Sequence, residues 1–288
     1  MQQDQQDEDI PGFANLDQAQ KDAAYNNSLA VSDSPERLLD WEKRSSVCRE
    51  LLSSRLDVRY GDKPNNRFDY FPSGERDAPL FIFIHGGYWQ RNSKEIFGFV
   101  STGPSANGIN VATIGYTLAP AASLSEIVNE VFRAIDCIAG LAEELGFDAQ
   151  RIFVGGWSAG GHLAALAADR AMVQGVVSIS GIFDLEPIAL TYLNHDLQLQ
   201  TFEIQTLAPI RNLIRRNVPM VLFVGGNELP ELQRQSRDYQ ALARTAGLDV
   251  EMTVLPGLNH YTIMEELAAP EGLLTRGLLE LVARAGKA

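Results

Sequence analysis

The sequence predicts an α/β fold whose mostly parallel central sheet carries helices on both faces, on three observations. From about residue 80 onward, short apolar runs without in/out alternation take turns with amphipathic helical stretches, the pattern of strands buried on both sides. Gly156-Trp157-Ser158-Ala159-Gly160 lies between the apolar run Arg151–Val154 and the helix-forming stretch His162–Leu166, which places Ser158 on a strand-to-helix turn. Upstream, the apolar run Leu80–Ile84 ends directly in His85-Gly86-Gly87-Tyr88-Trp89.

The elements follow in order. Residues 1–30 are rich in Gln, Asp, Asn and Ala, with Pro11-Gly12 as a breaker, and are expected to form a flexible N-terminal arm with short ordered pieces. Asp33 or Ser34 can cap a helix running to about Leu52, with Pro35 in its first turn. Two short strands, Leu56–Tyr60 and Arg67–Phe71, flank the turn-rich Gly61-Asp62-Lys63-Pro64-Asn65-Asn66 and read as an antiparallel start to the sheet. The alternation then runs strand Leu80–His85, helix near Glu95–Phe99, strand Asn110–Tyr116, helix Ser123–Leu145, strand Arg151–Val154, helix Ala159–Arg170 and strand Gly175–Ser180. Regularity lapses over about 184–217, where a small cap over a site would be inserted. Strand Met220–Val224, helix Glu231–Ala246, strand Val250–Leu255 and a helix over Leu273–Ala285 complete a single domain spanning 31–288.

Length and composition fit one sizeable core: 288 residues, 45% hydrophobic, 24 glycines. A formal charge of −13, from 24 basic against 37 acidic side chains, argues against nucleic acid or an anionic membrane as partner. Cys48 and Cys137 are the two cysteines and define no disulfide framework, so a reducing compartment is compatible. The acidic start lacks the positive and apolar stretches of a secretory signal, and no apolar run approaches 18 residues, so a cytoplasmic protein without a membrane span is expected. Two cysteines and four scattered histidines show no zinc-ligand spacing. Neither Gly155-Gly156 nor Gly225-Gly226 is a phosphate loop. No metal and no organic cofactor are expected.

The chemistry centres on Ser158. Glycines on either side of a strained serine allow close backbone packing while the hydroxyl is presented at the sheet's edge. A buried strand ending in His-Gly-Gly is what supplies a second oxyanion donor in lipase- and esterase-type hydrolases, so the N–H groups of Gly87, Tyr88 and Ala159 can converge on one developing negative oxygen. A serine hydroxyl needs a base, usually imidazole. Of four histidines, His85 braces the glycine loop, His162 projects away along the helix after Ser158, and His195 falls in the cap. His260 follows the last strand through Pro256-Gly257-Leu258-Asn259, where a base reaches back to the strands' carboxyl ends. The orienting carboxylate should leave strand Met220–Val224, where Glu228 is the first acid and Glu231 its rival. Trp89 and Trp157, with Tyr88, can wall an apolar pocket or pack in the core.

Taken together these residues resemble the α/β-hydrolase superfamily, in the branch that holds kynurenine formamidases (arylformamidases) and related esterases. His85-Gly86-Gly87-Tyr88-Trp89 resembles that branch's His-Gly-Gly-x-Trp loop, residues 156–162 its elbow, and Ser180-Gly181-Ile182-Phe183-Asp184-Leu185 its Ser-Gly-x-x-Asp-Leu segment. The likeness spans about residues 55–285. Pro230-Glu231-Leu232-Gln233-Arg234-Gln235-Ser236 is similar to the stretch after the family's acid, which places that acid on Glu228 and the histidine on His260. Glu stands here where the family's usual residue is Asp. The resemblance implies an α/β-hydrolase fold and a serine hydrolase that cleaves a small amide of the N-formyl aryl amine type, or an ester, through an acyl-enzyme. A short-chain carboxylesterase and a catalytically inactive binding protein of the same fold stand as alternatives, and a homodimer stays open.

Overall fold

The computed structural model describes residues 13–51 and 54–285. At its centre is one eight-stranded sheet in the order β1-β2-β4-β3-β5-β6-β7-β8, with β1 Arg55–Arg59, β2 Arg67–Phe71, β3 Ala78–Ile84, β4 Asn110–Ile114, β5 Phe147–Trp157, β6 Val173–Ile179, β7 Met220–Gly225 and β8 Val250–Leu255. β1 pairs β2 and β2 pairs β4 antiparallel, and every later pairing is parallel. The expected antiparallel start and parallel body are both present.

Every residue of β3 is buried, and successive side chains enter opposite layers. Leu80, Ile82 and Ile84 join a layer containing Ile127, Val131 and Ile135 of the Leu124–Gly140 helix, together with Leu163 of the Ala159–Ala167 helix. Phe81 and Phe83 join the other layer, with Trp41 of the Ser34–Leu51 helix, Phe97, Phe99, and Leu278 and Leu281 of the Leu273–Ala285 helix. Each such buried side chain contributes roughly 1.5–3 kcal/mol of transfer free energy, so the double cover holds the sheet more than local propensity does.

Local signals set the helix starts. Glu126 Oε2 accepts from the Ser123 N–H at 2.8 Å while Ser123 Oγ accepts from the Glu126 N–H, a capping box that opens the Leu124–Gly140 helix. The single helix expected over Ser123–Leu145 instead breaks after Gly140, a weak helix residue, and resumes as Ala142–Leu145, closed by left-handed Gly146. β5 exceeds the expected Arg151–Val154 because β3 and β6 pair with it as far as Gly156 and Trp157. The helix expected near Glu95–Phe99 is a 3-10 turn, Lys94–Ser101, followed by Thr102–Ala106.

Two segments without sequence periodicity are ordered by distant contacts. Between β6 and β7 the segment over which a cap was expected holds three short helices, Glu186–Ala189, Asn194–Leu197 and Thr201–Leu207. It is pinned to the body: Glu203 Oε1 accepts from Ser125 Oγ at 2.7 Å, and Gln90 Nε2 donates to the Leu193 carbonyl at 2.8 Å. The arm expected over 1–30, flexible with short ordered pieces, is described from residue 13 onward. Residues 1–12 lie outside the described residues, but Phe13–Asn15, Gln18–Ala23 and Asn27–Ala30 are helical, and Tyr25 between them is fully buried. Its hydroxyl donates to Glu231 Oε2 at 3.0 Å and accepts from Gln235 Nε2 at 2.7 Å. Two polar anchors on a distant helix thus order a stretch whose composition alone reads as loose.

Candidate active site

β5 ends at Trp157, and Ser158 follows with φ 57° and ψ −118°, directly before the Ala159–Ala167 helix. This left-handed backbone is costly for any residue with a Cβ and persists only where its surroundings hold it. They do so here by backbone contact. A Cβ on Gly160 would stand 2.0 Å from the Ile84 carbonyl oxygen, and one on Gly156 would stand 2.4 Å from the Gly160 backbone. Gly160→Ala is therefore expected to destabilise the fold by about 3 kcal/mol or more, because β3 must be pushed aside. Urea unfolding of the variant against wild type checks this.

The His85-Gly86-Gly87 loop leaves the end of β3 beside that turn. His85 is buried with its ring stacked on Tyr116 at 4.2 Å, and burial lowers its pKa to about 4, so it is neutral near pH 7. The Gly86 carbonyl accepts from His85 Nδ1 at 2.9 Å and from Asn92 Nδ2 at 3.2 Å. In a trans peptide the N–H points opposite to the carbonyl, so fixing Gly86 O also fixes the direction of the Gly87 N–H. The Ser158 N–H is already engaged, donating to the Ile179 carbonyl at 2.8 Å.

His260 sits in the loop after β8, and its Nδ1–H donates to Glu228 Oε2 at 2.7 Å. Glu228 follows β7, and its other oxygen accepts from Ser180 Oγ and from the Gly225 N–H, both at 2.6 Å. With Nδ1 carrying the hydrogen, Nε2 of a neutral ring is an acceptor. Trp157 Nε1 donates to the His260 carbonyl at 2.8 Å and tethers the histidine loop to the strand that delivers Ser158. Ser158 and His260 face one cavity of about 70 Å³, whose wall includes Gly87, Tyr88, Trp157 and Tyr261.

The structure thus brings Ser158, His260, Glu228, Gly87, Tyr88 and Trp157 together, with Ala159 next to Ser158. Glu231 turns elsewhere, to Arg234 and Tyr25. Trp89 is corrected as a pocket residue: it is fully buried in the core, edge-on to His162 at 5.0 Å. Its left-handed backbone, φ 58°, changes the side-chain direction from that of an extended loop. His162, expected to project away, is fully buried and its Nε2 donates to the Leu207 carbonyl at 2.8 Å, fastening the cap. His195 is exposed and bonded to Asp196. Sequence reasoning missed Ser180 as a partner of Glu228, although it opens the Ser-Gly-Ile-Phe-Asp-Leu segment. It also missed Asn92, and Asn27 and Ser28 of the N-terminal segment, which reach the cavity wall. Among the described residues no cluster of three His, Cys, Asp or Glu could hold a metal, and no helix is long and apolar enough to cross a membrane.

Comparison with known proteins places this geometry. Residues 70–230 match the BD-FAE family model. The kynurenine formamidase of Salmo salar is 34% identical over 253 residues, covering 82% of this chain and 84% of that protein. That of Danio rerio is 31% identical with the same coverage, 82% and 84%. The esterase LipC of Mycobacterium tuberculosis is 27% identical, covering 79% and 66%. Among solved structures, a candidate thioesterase from Silicibacter superposes with a TM-score of 0.81 at 28% identity, covering 88% of this chain and 97% of that one. An esterase of Pyrobaculum calidifontis, 18% identical, shares the fold with a TM-score of 0.70 over 88% and 92% of the two chains.

Proposed function

Since this chain belongs to the BD-FAE family and to the kynurenine formamidase-like branch of the α/β-hydrolases, we propose that it is a serine hydrolase releasing a small acyl group from an N-formyl aryl amine or a related ester. Hydrolase chemistry comes with the family. The finer reading rests on one observation: the buried Glu228–His260 pair, 2.7 Å apart, opens on the same cavity as a serine held at a strained turn.

In this reading Ser158 Oγ attacks the carbonyl carbon as His260 Nε2 takes its proton. Glu228 keeps the hydrogen on Nδ1 and stabilises the imidazolium. The N–H groups of Gly87, Tyr88 and Ala159 receive the oxyanion. The imidazolium then protonates the leaving amine or alcohol, and water, deprotonated by His260, releases the acid. A cavity near 70 Å³ favours a short acyl group such as formyl or acetyl.

The test compares hydrolysis of an N-formyl aniline with that of an aryl acetate, and maps the residue labelled by an organophosphonate. Formamide turnover with label on Ser158 supports the reading. Turnover of acetates alone would favour a carboxylesterase, and no turnover with no label would overturn hydrolysis at this site.

Asn92 supplies a further prediction. Asn92→Gly tolerates the observed φ of 69° but removes one of the two donors on Gly86 O. Loss of one hydrogen bond, about 1 kcal/mol, is expected to lower kcat roughly fivefold, with KM nearly unchanged, because the affected N–H serves the transition state. Steady-state kinetics on the aryl acetate would check it.

A further inference from the structure

We infer that Arg91 selects substrates bearing an anionic oxygen group, a carboxylate first of all, on the leaving-group side of the scissile carbonyl. This deepens the hydrolase reading and rests on it. Arg91 lines the same cavity as Ser158 and His260, and of the lining residues it is the one with a permanent charge. Its backbone is fixed to the glycine loop: the Arg91 N–H donates to the Gly87 carbonyl at 3.0 Å. The Arg91 carbonyl oxygen is so close that a Cβ on Gly87 would stand 2.3 Å from it. The guanidinium therefore springs from a point held in register with the Gly87 N–H.

The arginine also carries no ion pair among the described residues. Its side chain is exposed, and among the described residues no carboxylate lies within 4.0 Å of it. Glu228, the acid inside the site, is buried and already engaged by His260, Ser180 and Gly225. The Arg91 side chain does meet Tyr192, a neutral phenol: burial raises that phenol's pKa, and the charge of Arg91 and a side-chain hydrogen bond from it work against the rise. In a molecule with a formal charge of −13, a guanidinium without a carboxylate partner at the cavity gives an anion a local reason to enter against the net charge. A guanidinium binds carboxylate or phosphate through paired N–H donors, and a neutral leaving group draws nothing comparable from it.

The experiment measures kcat/KM for three aryl acetates alike except at one ring position, which carries hydrogen, carboxylate or phosphate, in wild type, Arg91→Gln and Arg91→Lys. The readout is the ratio of anionic to neutral substrate. Wild type is expected to favour the carboxylate about 10-fold at low salt, with the ratio falling as salt rises. Arg91→Gln should bring the ratio near one, and Arg91→Lys should keep part of it. A larger ratio for phosphate would name phosphate rather than carboxylate as the preferred anion and still uphold the assignment to Arg91. A ratio near one in wild type, or a ratio untouched by Arg91→Gln, would overturn the proposal while leaving hydrolysis intact. Absence of turnover on all three substrates would overturn both.

Discussion

Ser158→Ala is expected to lower kcat/KM by about 10⁴-fold or more on an aryl acetate or an N-formyl aniline, and to abolish labelling by an organophosphonate. In the proposed mechanism this removes the atom that bonds to the acyl carbon, and the nearby serines of the described residues are engaged elsewhere: Ser180 Oγ donates to Glu228 and Ser28 Oγ is bonded to the Tyr261 hydroxyl. What would remain is the proposed oxyanion hole acting on water. The fold should persist, since alanine keeps the Cβ that the turn already accommodates. Near wild-type turnover in a cleanly folded variant would refute the assignment of Ser158.

Glu228→Gln should cost about 10³- to 10⁴-fold in kcat, and the bonding around the carboxylate explains why. Oε1 accepts from both Ser180 Oγ and the Gly225 N–H, so the oxygen of a glutamine amide will occupy that position. Its NH₂ group is then turned toward His260 Nδ1, now 2.7 Å from Oε2. Two donors cannot face each other, so the imidazole must move its hydrogen to Nε2, the nitrogen that accepts the serine proton in the proposed mechanism. Glu228→Asp leaves the charge in place but shortens the reach, and should lose less. A rate within tenfold of wild type for the Gln variant would show that the carboxylate does not set the tautomer.

Much of this arrangement was legible in the chain because it is written in local chemistry. Glycines at 156 and 160 announce close backbone packing, and the structure shows it against β3, where a Cβ added to Gly160 would stand 2.0 Å from the Ile84 carbonyl oxygen. Glu228 and His260 follow from chain order, each in the first loop after a strand of a parallel sheet whose loops converge at one edge. Trp89 was harder, because aromatic identity next to a motif carries no information about side-chain direction once the backbone turns left-handed. Which pieces of residues 13–30 are ordered was not readable: the docking depends on Tyr25 meeting Glu231 and Gln235, more than two hundred positions later. The cap resisted for the same reason, its helices being too short to show a period and held by bonds such as His162 to Leu207.

The indole of Trp157 bonded to the His260 carbonyl has a consequence for thermal motion. Alcohol and imidazole are carried on segments that lie about a hundred positions apart, yet a single rigid bar joins their supports. In the proposed mechanism a displacement of one is expected to carry the other with it, so that the gap the proton crosses varies less than the position of either loop. Trp157→Phe would keep an aromatic filler while cutting that bar, and proton transfer would then sample a broader spread of separations.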